Sequence, residues 1–309
     1  MKRKKEKKLS PPHQQTFHFV SAMRAFLGYL KATQKSNHTI KNYQLDLLSF
    51  ENFLNQSRSS LAQLNRIDLS HYHTDLKIKG LKINTRRRKL LTVSQFLQFL
   101  SKRKKLFSQV AQKFPLPHKI ERVPFVVCTR QLIQTIKNLP SSLVLEKRNQ
   151  ALLWTLSETG CLVSEIGKIC FKDWQEAYYV KLGIQTKRKV PVSKALYQLI
   201  QDLKKNPDLQ EKVFLGYNKF GPLGVPISPR GVELLVKAYR PKLGYENLVP
   251  RTFRHSVVLQ WHHEGIDLKE IQKRLGLKTA YAFRVYQALF QAHDRVFDQS
   301  PEGSVRVDY

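Results

Sequence analysis

The segments PRTFRH (residues 250–255), LGLKT (275–279) and RVY (284–286) stand in this order towards the C-terminal end of the chain. They place Tyr286 32 residues after Arg254, in a strongly basic protein. An arginine fork binds two phosphate oxygens at once, and a phenol can attack phosphorus as a nucleophile. The ordered pair therefore predicts phosphate chemistry, although either residue alone would be read as a surface arginine or a core tyrosine.

Length and charge narrow the class of partner. The chain has 309 residues, which is enough for two domains, and its 54 Lys and Arg against 23 Asp and Glu give a formal net charge of +31. Such a charge predicts a polyanionic partner, and nucleic acid comes first because binding its phosphates releases counterions. An anionic membrane is the rival, but the sequence has no amphipathic basic helix, lipidation signal or apolar run of 18 residues.

The N-terminal segment and the cysteines give weaker indications. Residues 1–15 begin with a basic block, and we expect a disordered tail that either grips phosphates loosely or is simply solvated. No apolar segment follows the block, so we expect no secretory signal. Cys128, Cys161 and Cys170 lack metal-ligand spacing, which is typical of packing thiols in the cytoplasm. We expect no metal and no other cofactor.

The first half of the chain reads as a small helical domain. Apolar residues recur at helical spacing in four segments between residues 16 and 104. Residues 105–124 then lose this period and are rich in lysine and proline, which predicts an exposed basic linker. Such a linker could cross DNA or could be an ordinary charged connection, and composition does not separate these two readings.

The second half, residues 125–309, mixes helices with a few strands. Residues 178–182 and 189–192 predict two short strands around a turn, and the Gly- and Pro-rich residues 216–229 predict a loop. Most of the remaining segments have helical periodicity. The expected fold class is therefore mainly α with a small β component (α+β).

Four further segments extend the motif set towards the N-terminus: NYQLDL (42–47), NTRRRKL (84–90), RNQALL (148–153) and TGCLVSE (159–165). Together with the C-terminal segments they resemble the tyrosine recombinases, the phage integrase family with its Xer-type members, over about residues 17–290. Each motif is weak alone, but their order is specific. The resemblance implies a helical core-binding (SAM-like) domain and a catalytic-type domain that close as a C-shaped clamp on double-stranded DNA.

The resemblance also implies residue roles. In the family, a tyrosine attacks a DNA phosphate and becomes joined to the 3′ end, while arginines, histidine-like groups and a hairpin lysine assist without a metal. Tyr286 matches the nucleophile, Arg254 the second arginine and Glu165 the acidic residue of the motif. Lys187 is the best match for the hairpin lysine and Lys189 its alternative. Tyr281 competes with Tyr286, but the family's usual spacing favours Tyr286.

Three positions depart from the family's pattern. Leu162 stands where the first arginine is expected, Arg251 where the first histidine is expected, and Leu277 where a histidine or tryptophan is expected. Leucine cannot donate to a phosphate oxygen or move a proton, and arginine cannot act as a general base. Arg251 could supply the positive charge that Leu162 lacks, and His255 lies beside Arg254 as a further candidate catalytic group.

The DNA-facing residues are expected in the first domain. The resemblance assigns its DNA-facing helix to the segment that starts with Arg86, Arg87, Arg88 and Lys89. Lys41 and Lys104 are further basic candidates in this domain. None of these contacts needs the missing catalytic groups, so binding is separable from cleavage.

Three hypotheses remain open for function. The first is a DNA-binding family member with impaired cleavage that works with an active recombinase partner or marks a chromosomal site, and the second is an active recombinase with a rewired centre. The third is an unrelated RNA or nucleic-acid module. A hydrolase built on His262 and His263 is disfavoured, because they lack carboxylate or cysteine partners at ligand spacing. The family often acts as a tetramer, and residues 287–309, with Phe290 and Phe297, could dock on a neighbouring copy or form a disordered tail.

Overall fold

The computed structural model describes residues 19–59, 61, 64–104, 115–120, 123–183, 187–206, 209, 211–277 and 279–298, with backbone alone at 104, 280–282 and 294–298. The expected tail, residues 1–15, lies outside this part. The chain divides into two compact units, Met1–Glu121 and Arg122–Tyr309. No helix among the described residues is long and apolar enough to cross a membrane.

The described part of the first unit is helical. Its helices are α1 (Phe19–Ala32), α2 (Asn37–Gln56), α3 (Arg66–Ile78) and α4 (Ile83–Lys104). The Ser36 hydroxyl accepts the Thr39 N–H and so caps the start of α2. Aromatic side chains fill the core between the helices, and their rings tilt against one another as buried aromatic rings prefer. The innermost of them are Phe26, Phe50, Tyr72 and Phe96.

Part of the predicted linker packs against the first unit. Residues 115–120 are extended, and the Asn84 side chain on α4 exchanges two hydrogen bonds with the backbone of Ile120, at 2.9 and 3.1 Å. Leu116 adds its side chain to the edge of the helical core. The composition predicted an exposed linker, and residues 115 and 118–120 are exposed, while the Leu116 and Asn84 contacts hold the segment on α4. Residues 105–114 lie outside the described part.

The second unit is built around a buried helix. Its elements are α5 (Thr129–Lys137), α6 (Val144–Thr159), α7 (Val163–Ile166), a 3-10 turn (Phe171–Asp173), β1 (Trp174–Gln175), β2 (Tyr179–Leu182), β3 (Arg188–Pro191), α8 (Lys194–Lys204), β4 (Leu215–Asn218), β5 (Gly221–Pro226), α9 (Pro229–Leu243), α10 (Pro250–His263), α11 (Leu268–Leu275) and α12 (Ala280–Asp298). From Arg148 onward nearly every residue of α6 is buried, polar ones included, so the helix lies inside the core. It packs against α5, α8 and α10.

The strands form two small antiparallel sheets. β1, β2 and β3 pair in that order, with Val180 opposite Val190 in the core-facing register. The predicted pair of strands is therefore present, and β1 is an added third strand. The prediction of a loop at residues 216–229 was wrong, because β4 and β5 form a hairpin there. Gly221 takes a φ of 128° at the turn, so the glycine that suggested a loop instead closes the hairpin.

Candidate phosphate site and basic helix

Arg254 lies at the centre of the site on α10, with 6% of its surface exposed. Its Nε donates to the Tyr286 hydroxyl at 3.1 Å. Its Nη1 donates to the Gly160 carbonyl at 2.6 Å, and its Nη2 donates to the Leu275 carbonyl at 2.9 Å. One guanidinium thus ties α10 to the ends of α6 and α11 and to the phenol on α12.

The C-terminal ends of two helices form the binding site for the Arg254 guanidinium. Gly160 and Gly276 end α6 and α11 with φ values of 56° and 66°, in the left-handed region that favours glycine. The last carbonyls of a helix lack partners inside it and carry partial negative charge, so a buried cation is stabilised there. A Cβ on Gly160 would lie 2.9 Å from the Val257 side chain, so any other residue here would force a shift as well as an unfavourable φ.

Tyr286 is buried but not isolated from charge. Its side chain is 5% exposed, and its ring lies 5.4 Å from the His255 ring and 5.5 Å from the Phe283 ring between centroids. Its hydroxyl accepts the Arg254 hydrogen bond. The structure therefore brings together the tyrosine and the arginine that the sequence singled out. The side chain of Tyr281, the competing tyrosine, lies outside the described part.

His255 is a buried neutral imidazole in this state. It is 4% exposed, and its Nδ1 has no hydrogen-bond partner among the described residues. Burial, with a smaller contribution from the positive charges of Arg251 and Arg254, lowers the pKa of His255 to about 4. An uncharged imidazole beside the phenol has the form required to accept a proton.

The protonation of His255 predicts an acid-sensitive fold. Its pKa is about 4 in the folded protein and about 6.5 in the unfolded chain, so the unfolded chain binds the extra proton between these values. Stability should therefore fall as pH drops from about 6.5 to about 4, by an amount on the order of 3 kcal/mol. Urea unfolding across this range should show a shallower pH dependence for His255→Gln than for the natural chain. The exposed control His38→Gln should leave the dependence unchanged, and an equally steep loss in His255→Gln would contradict this assignment.

Glu165 and Arg188 form a buried ion pair near this site. The Arg188 guanidinium binds both Glu165 oxygens at 2.5 and 3.0 Å, and its Nε donates to the Arg274 carbonyl at 2.5 Å. Burial alone would raise the pKa of Glu165, but the hydrogen bonds and charge of Arg188 outweigh it and hold that pKa below its ordinary value. Glu165 also accepts the Leu162 N–H at 2.8 Å.

Sequence reasoning missed Arg188. It lies in the basic run TKRK (186–189), in which only the lysines were considered for the hairpin role. The available signal was the arginine itself. Its planar guanidinium can bind both oxygens of a carboxylate at once, and the ammonium group of a lysine cannot. Arg188 also lies against Gly276, whose Cβ position is 3.2 Å from the Arg188 side chain. Arg188 therefore lies beside the turn at Gly276, directly after the Leu275 carbonyl that binds Arg254.

The hairpin lysines make other contacts. Lys187 pairs with Asp173 at 2.9 Å, and this hydrogen bond, with the charge of Asp173, raises the pKa of Lys187. Lys189 lies over the Tyr179 ring at 4.7 Å. Neither lysine is in contact with the Arg254–Tyr286 pair in this state, so the structure does not bring the expected third partner to the phenol.

The three departures from the family's pattern have distinct places. Leu162 precedes α7 and is 47% exposed, although its N–H is bound by Glu165. Arg251 is exposed in the first turn of α10. Leu277 follows α11 and packs at the edge of the core, where its carbonyl accepts from the Gln272 side chain. An exposed, uncharged side chain thus occupies the position at which the family's pattern has an arginine.

The basic start of α4 is held by contacts inside its own unit. Arg86 lies 3.2 Å from His73, and Arg87 donates to the Pro117 carbonyl at 2.5 Å. Arg88 and Lys89 both bind the buried carboxylate of Asp46, at 2.5 and 3.2 Å. These contacts fix the four side chains, and each keeps further N–H groups for an outside acceptor. Lys41 is exposed on α2. The side chain of Lys104 is not described.

Phe290 contributes to the core of its own unit. It is 5% exposed and stacks on His262 with ring centroids 4.0 Å apart. It was expected as a docking residue for a neighbouring copy, but in this state its surface is already covered. Among the described residues, no group of three His, Cys, Asp or Glu could hold a metal ion.

Comparisons with known proteins agree in both units. Residues 23–104 match the family described as phage integrase, N-terminal SAM-like domain, and residues 128–293 match the phage integrase family. The chain is similar to the tyrosine recombinase XerC of Halalkalibacterium halodurans, with 30% identity over 285 residues that cover 85% of this chain and 90% of that protein.

Solved structures show the same fold at low sequence identity. The XerH site-specific recombinase bound to a palindromic difH substrate has a TM-score of 0.72 and 16% identity, over 91% of this chain and 85% of that chain. Lambda integrase bound to DNA has a TM-score of 0.67 and 14% identity, over 93% of this chain and 99% of that chain.

Proposed function

Because the chain belongs to the phage integrase family of tyrosine recombinases, we propose that it binds double-stranded DNA and that its strand-cleavage centre is impaired. The net charge of +31 and the DNA-bound state of the structural relatives support the DNA partner. Family membership leaves the unrelated RNA module without support. The three free cysteines favour work in the reducing cytoplasm.

Leu162 carries the proposal of impaired cleavage. The family places a phosphate-binding arginine at this position, and here an exposed leucine offers no donor. Loss of one donor that stabilises charge in the transition state costs about 10²–10³ in rate. Tyr286 is also withdrawn from solvent, so α12 must shift before its hydroxyl reaches a DNA phosphate. Binding through the first unit needs neither change.

Covalent trapping tests the proposal directly. Duplexes that the protein selects from a random pool would be nicked so that a cleaved strand end diffuses away and the protein–DNA link accumulates. We expect tight binding of these duplexes without a covalent adduct on a denaturing gel. An adduct that forms readily with the natural chain and is lost in Tyr286→Phe would overturn the proposal.

A second candidate is an active recombinase with a rewired centre. The Arg254–Tyr286 hydrogen bond favours it, because the nucleophile and one phosphate-binding arginine are kept in contact. Arg251, exposed in the first turn of α10, would then supply the missing charge, and Lys187 would exchange Asp173 for the leaving oxygen. Recombination of a reporter plasmid that continues in both Arg254→Ala and Tyr286→Phe would end this alternative.

The basic start of α4 should carry a measurable share of DNA binding. Each phosphate contact contributes about 0.9 to the slope of log affinity against log salt concentration. The triple change Arg86→Ala, Arg87→Ala and Arg88→Ala should weaken binding and flatten this slope by about 1–3. Fluorescence anisotropy over a salt series measures both quantities.

A matched control removes the same charge from another face of the same unit. Arg24, Lys31 and Lys35 are exposed on or just after α1, and their replacement by alanine also removes three positive charges. The control variant should change the slope of log affinity against log salt concentration less than the triple variant in α4 does. Equal slopes in the two variants would remove the start of α4 from the DNA interface.

The C-terminal helix α12 bears on how the protein assembles on DNA. An impaired chain would act with an active recombinase partner or as one subunit of a tetramer on DNA. Since Phe290 is packed within its own unit, exchange of the C-terminal segment would require α12 to release it. Light scattering of the protein with and without its selected duplex would distinguish a monomer, a dimer and a tetramer.

A further inference from the structure

A lysine-rich cavity lies beside the tyrosine site in the second unit. It lies between the β2–β3 hairpin and the segment that follows α7, and its volume is about 250 Å³. A water molecule takes about 30 Å³ in the liquid, so this space holds a tetrahedral oxyanion with several waters. Five lysines line it: Lys168, Lys172, Lys181, Lys187 and Lys212.

The three carboxylates of the cavity already have cationic partners. Arg188 binds Glu165 in a bidentate pair, and Lys187 binds Asp173 at 2.9 Å. Glu211 lies 3.9 Å from Lys212 and accepts a hydrogen bond from the Cys170 thiol. These pairs leave little negative charge for the other lysines of the wall.

Lys168, Lys172 and Lys181 remain uncompensated. No Asp or Glu in the described part of the chain lies within ion-pair distance of any of these three ammonium groups. Lys212 is also cationic, because its hydrogen bond to Cys170 raises its pKa. Like charges around one small cavity repel one another, and the repulsion is relieved when an anion enters.

We propose that this cavity binds a phosphate group, as an anion site separate from the Arg254–Tyr286 pair. Several ammonium donors around a space of this size match the oxygens of phosphate, whereas they repel a cation and leave an apolar ligand without partners. The group can come from a DNA backbone or from a free phosphate compound. The proposal stands whether or not Tyr286 cleaves DNA.

Position links the cavity to the tyrosine site. Glu165 lines the cavity and binds Arg188, whose Nε holds the Arg274 carbonyl, one residue before the Leu275 carbonyl that binds Arg254. Glu165, which is paired with Arg188, thus connects the cavity wall to the carbonyls around Arg254.

Cys170, which is 5% exposed, supplies a slowly reacting reporter for occupancy. Its thiol lies in the cavity wall, 3.1 Å from the Lys212 ammonium group. Alkylation by iodoacetamide, measured by peptide mass spectrometry on the full chain, should slow several-fold and saturably as inorganic phosphate is added at constant ionic strength. Exposed Cys128 should be alkylated at an unchanged rate. An unchanged rate at Cys170 would overturn the proposal.

Paired lysine variants locate the effect. Lys172→Ala with Lys181→Ala removes two cavity charges, while Lys194→Ala with Lys237→Ala removes two exposed charges outside the cavity. Protection by phosphate should be lost in the first variant and kept in the second, with thermal unfolding as the check that both fold. Arg254→Ala should keep the protection of Cys170 by phosphate. Protection that persists in the cavity variant would overturn the proposal.

Two further protection experiments identify the source of the phosphate group. A duplex that protects Cys170 and is displaced by inorganic phosphate assigns the site to the DNA backbone. Protection by inorganic phosphate and a mononucleotide, with none by the duplex, assigns it to a free phosphate compound. Protection by the duplex alone would count against the proposal, because simple coverage of the surface explains it. Adduct formation through Tyr286 is measured separately, so the two proposals fail independently.

Discussion

Replacing Leu162 by arginine should raise the rate of covalent adduct formation on a nicked duplex by about 10²–10³-fold. Leu162 is 47% exposed just before α7, so a longer side chain meets no buried neighbour. Its N–H is held by Glu165, which fixes the backbone from which the new guanidinium would project. The change puts a phosphate-binding guanidinium at position 162, where the family's pattern has an arginine and this chain has an exposed leucine. Adduct formation is read on a denaturing gel against time.

Controls separate this gain from a general change in binding. Leu162→Met alters the side chain without charge and should leave the rate unchanged. Leu162→Arg combined with Tyr286→Phe should form no adduct. Groups that act as a unit do not contribute additively, so Arg251→His and Leu277→His should add to the gain only in the presence of Leu162→Arg. A rate for Leu162→Arg that equals that of Leu162→Met would show that position 162 does not limit cleavage.

Replacing Arg188 by leucine should destabilise the second unit by about 3–5 kcal/mol. The side chains of Arg188 and Glu165 are 9% and 7% exposed, and removal of the cation leaves a buried carboxylate without its partner. It also frees the Arg274 carbonyl beside the turn at Gly276. Urea unfolding followed by tryptophan fluorescence reports the loss, since all three tryptophans lie in this unit.

The exposed neighbour Lys189→Leu is the matched control and should cost far less. Glu165→Gln combined with Arg188→Leu should recover part of the loss, because no buried charge then stays unpaired. The pKa of Glu165 is lower in the folded than in the unfolded chain, so its contribution is full above about 4.5 and fades as pH falls through the lower value. Arg188→Leu should remove this contribution. A cost below about 1 kcal/mol would contradict the buried-pair account.

Local sequence patterns were enough for most of the fold. The periodicity of the helices around Phe50 and Phe96 depends only on neighbouring residues, and the family resemblance was carried by short ordered motifs. The hairpin at β4 and β5 was missed because Gly221 and the nearby prolines are typical of loops and of tight hairpins alike. The ordered motifs and the family resemblance also selected Arg254 and Tyr286, which lie in contact at 3.1 Å.

The sequence by itself determined the family, the helical and mixed units and the excess of cations, because each of these is written in composition or in motif order. Only the tertiary structure decided which cationic side chains pair with carboxylates inside the protein. Asp46 binds Arg88 and Lys89 from another helix, and Glu165 binds Arg188 from 23 residues away. Long-range pairing of charges depends on how the elements pack, and so does the burial that shifts their pKa values. No local pattern of residues records either one.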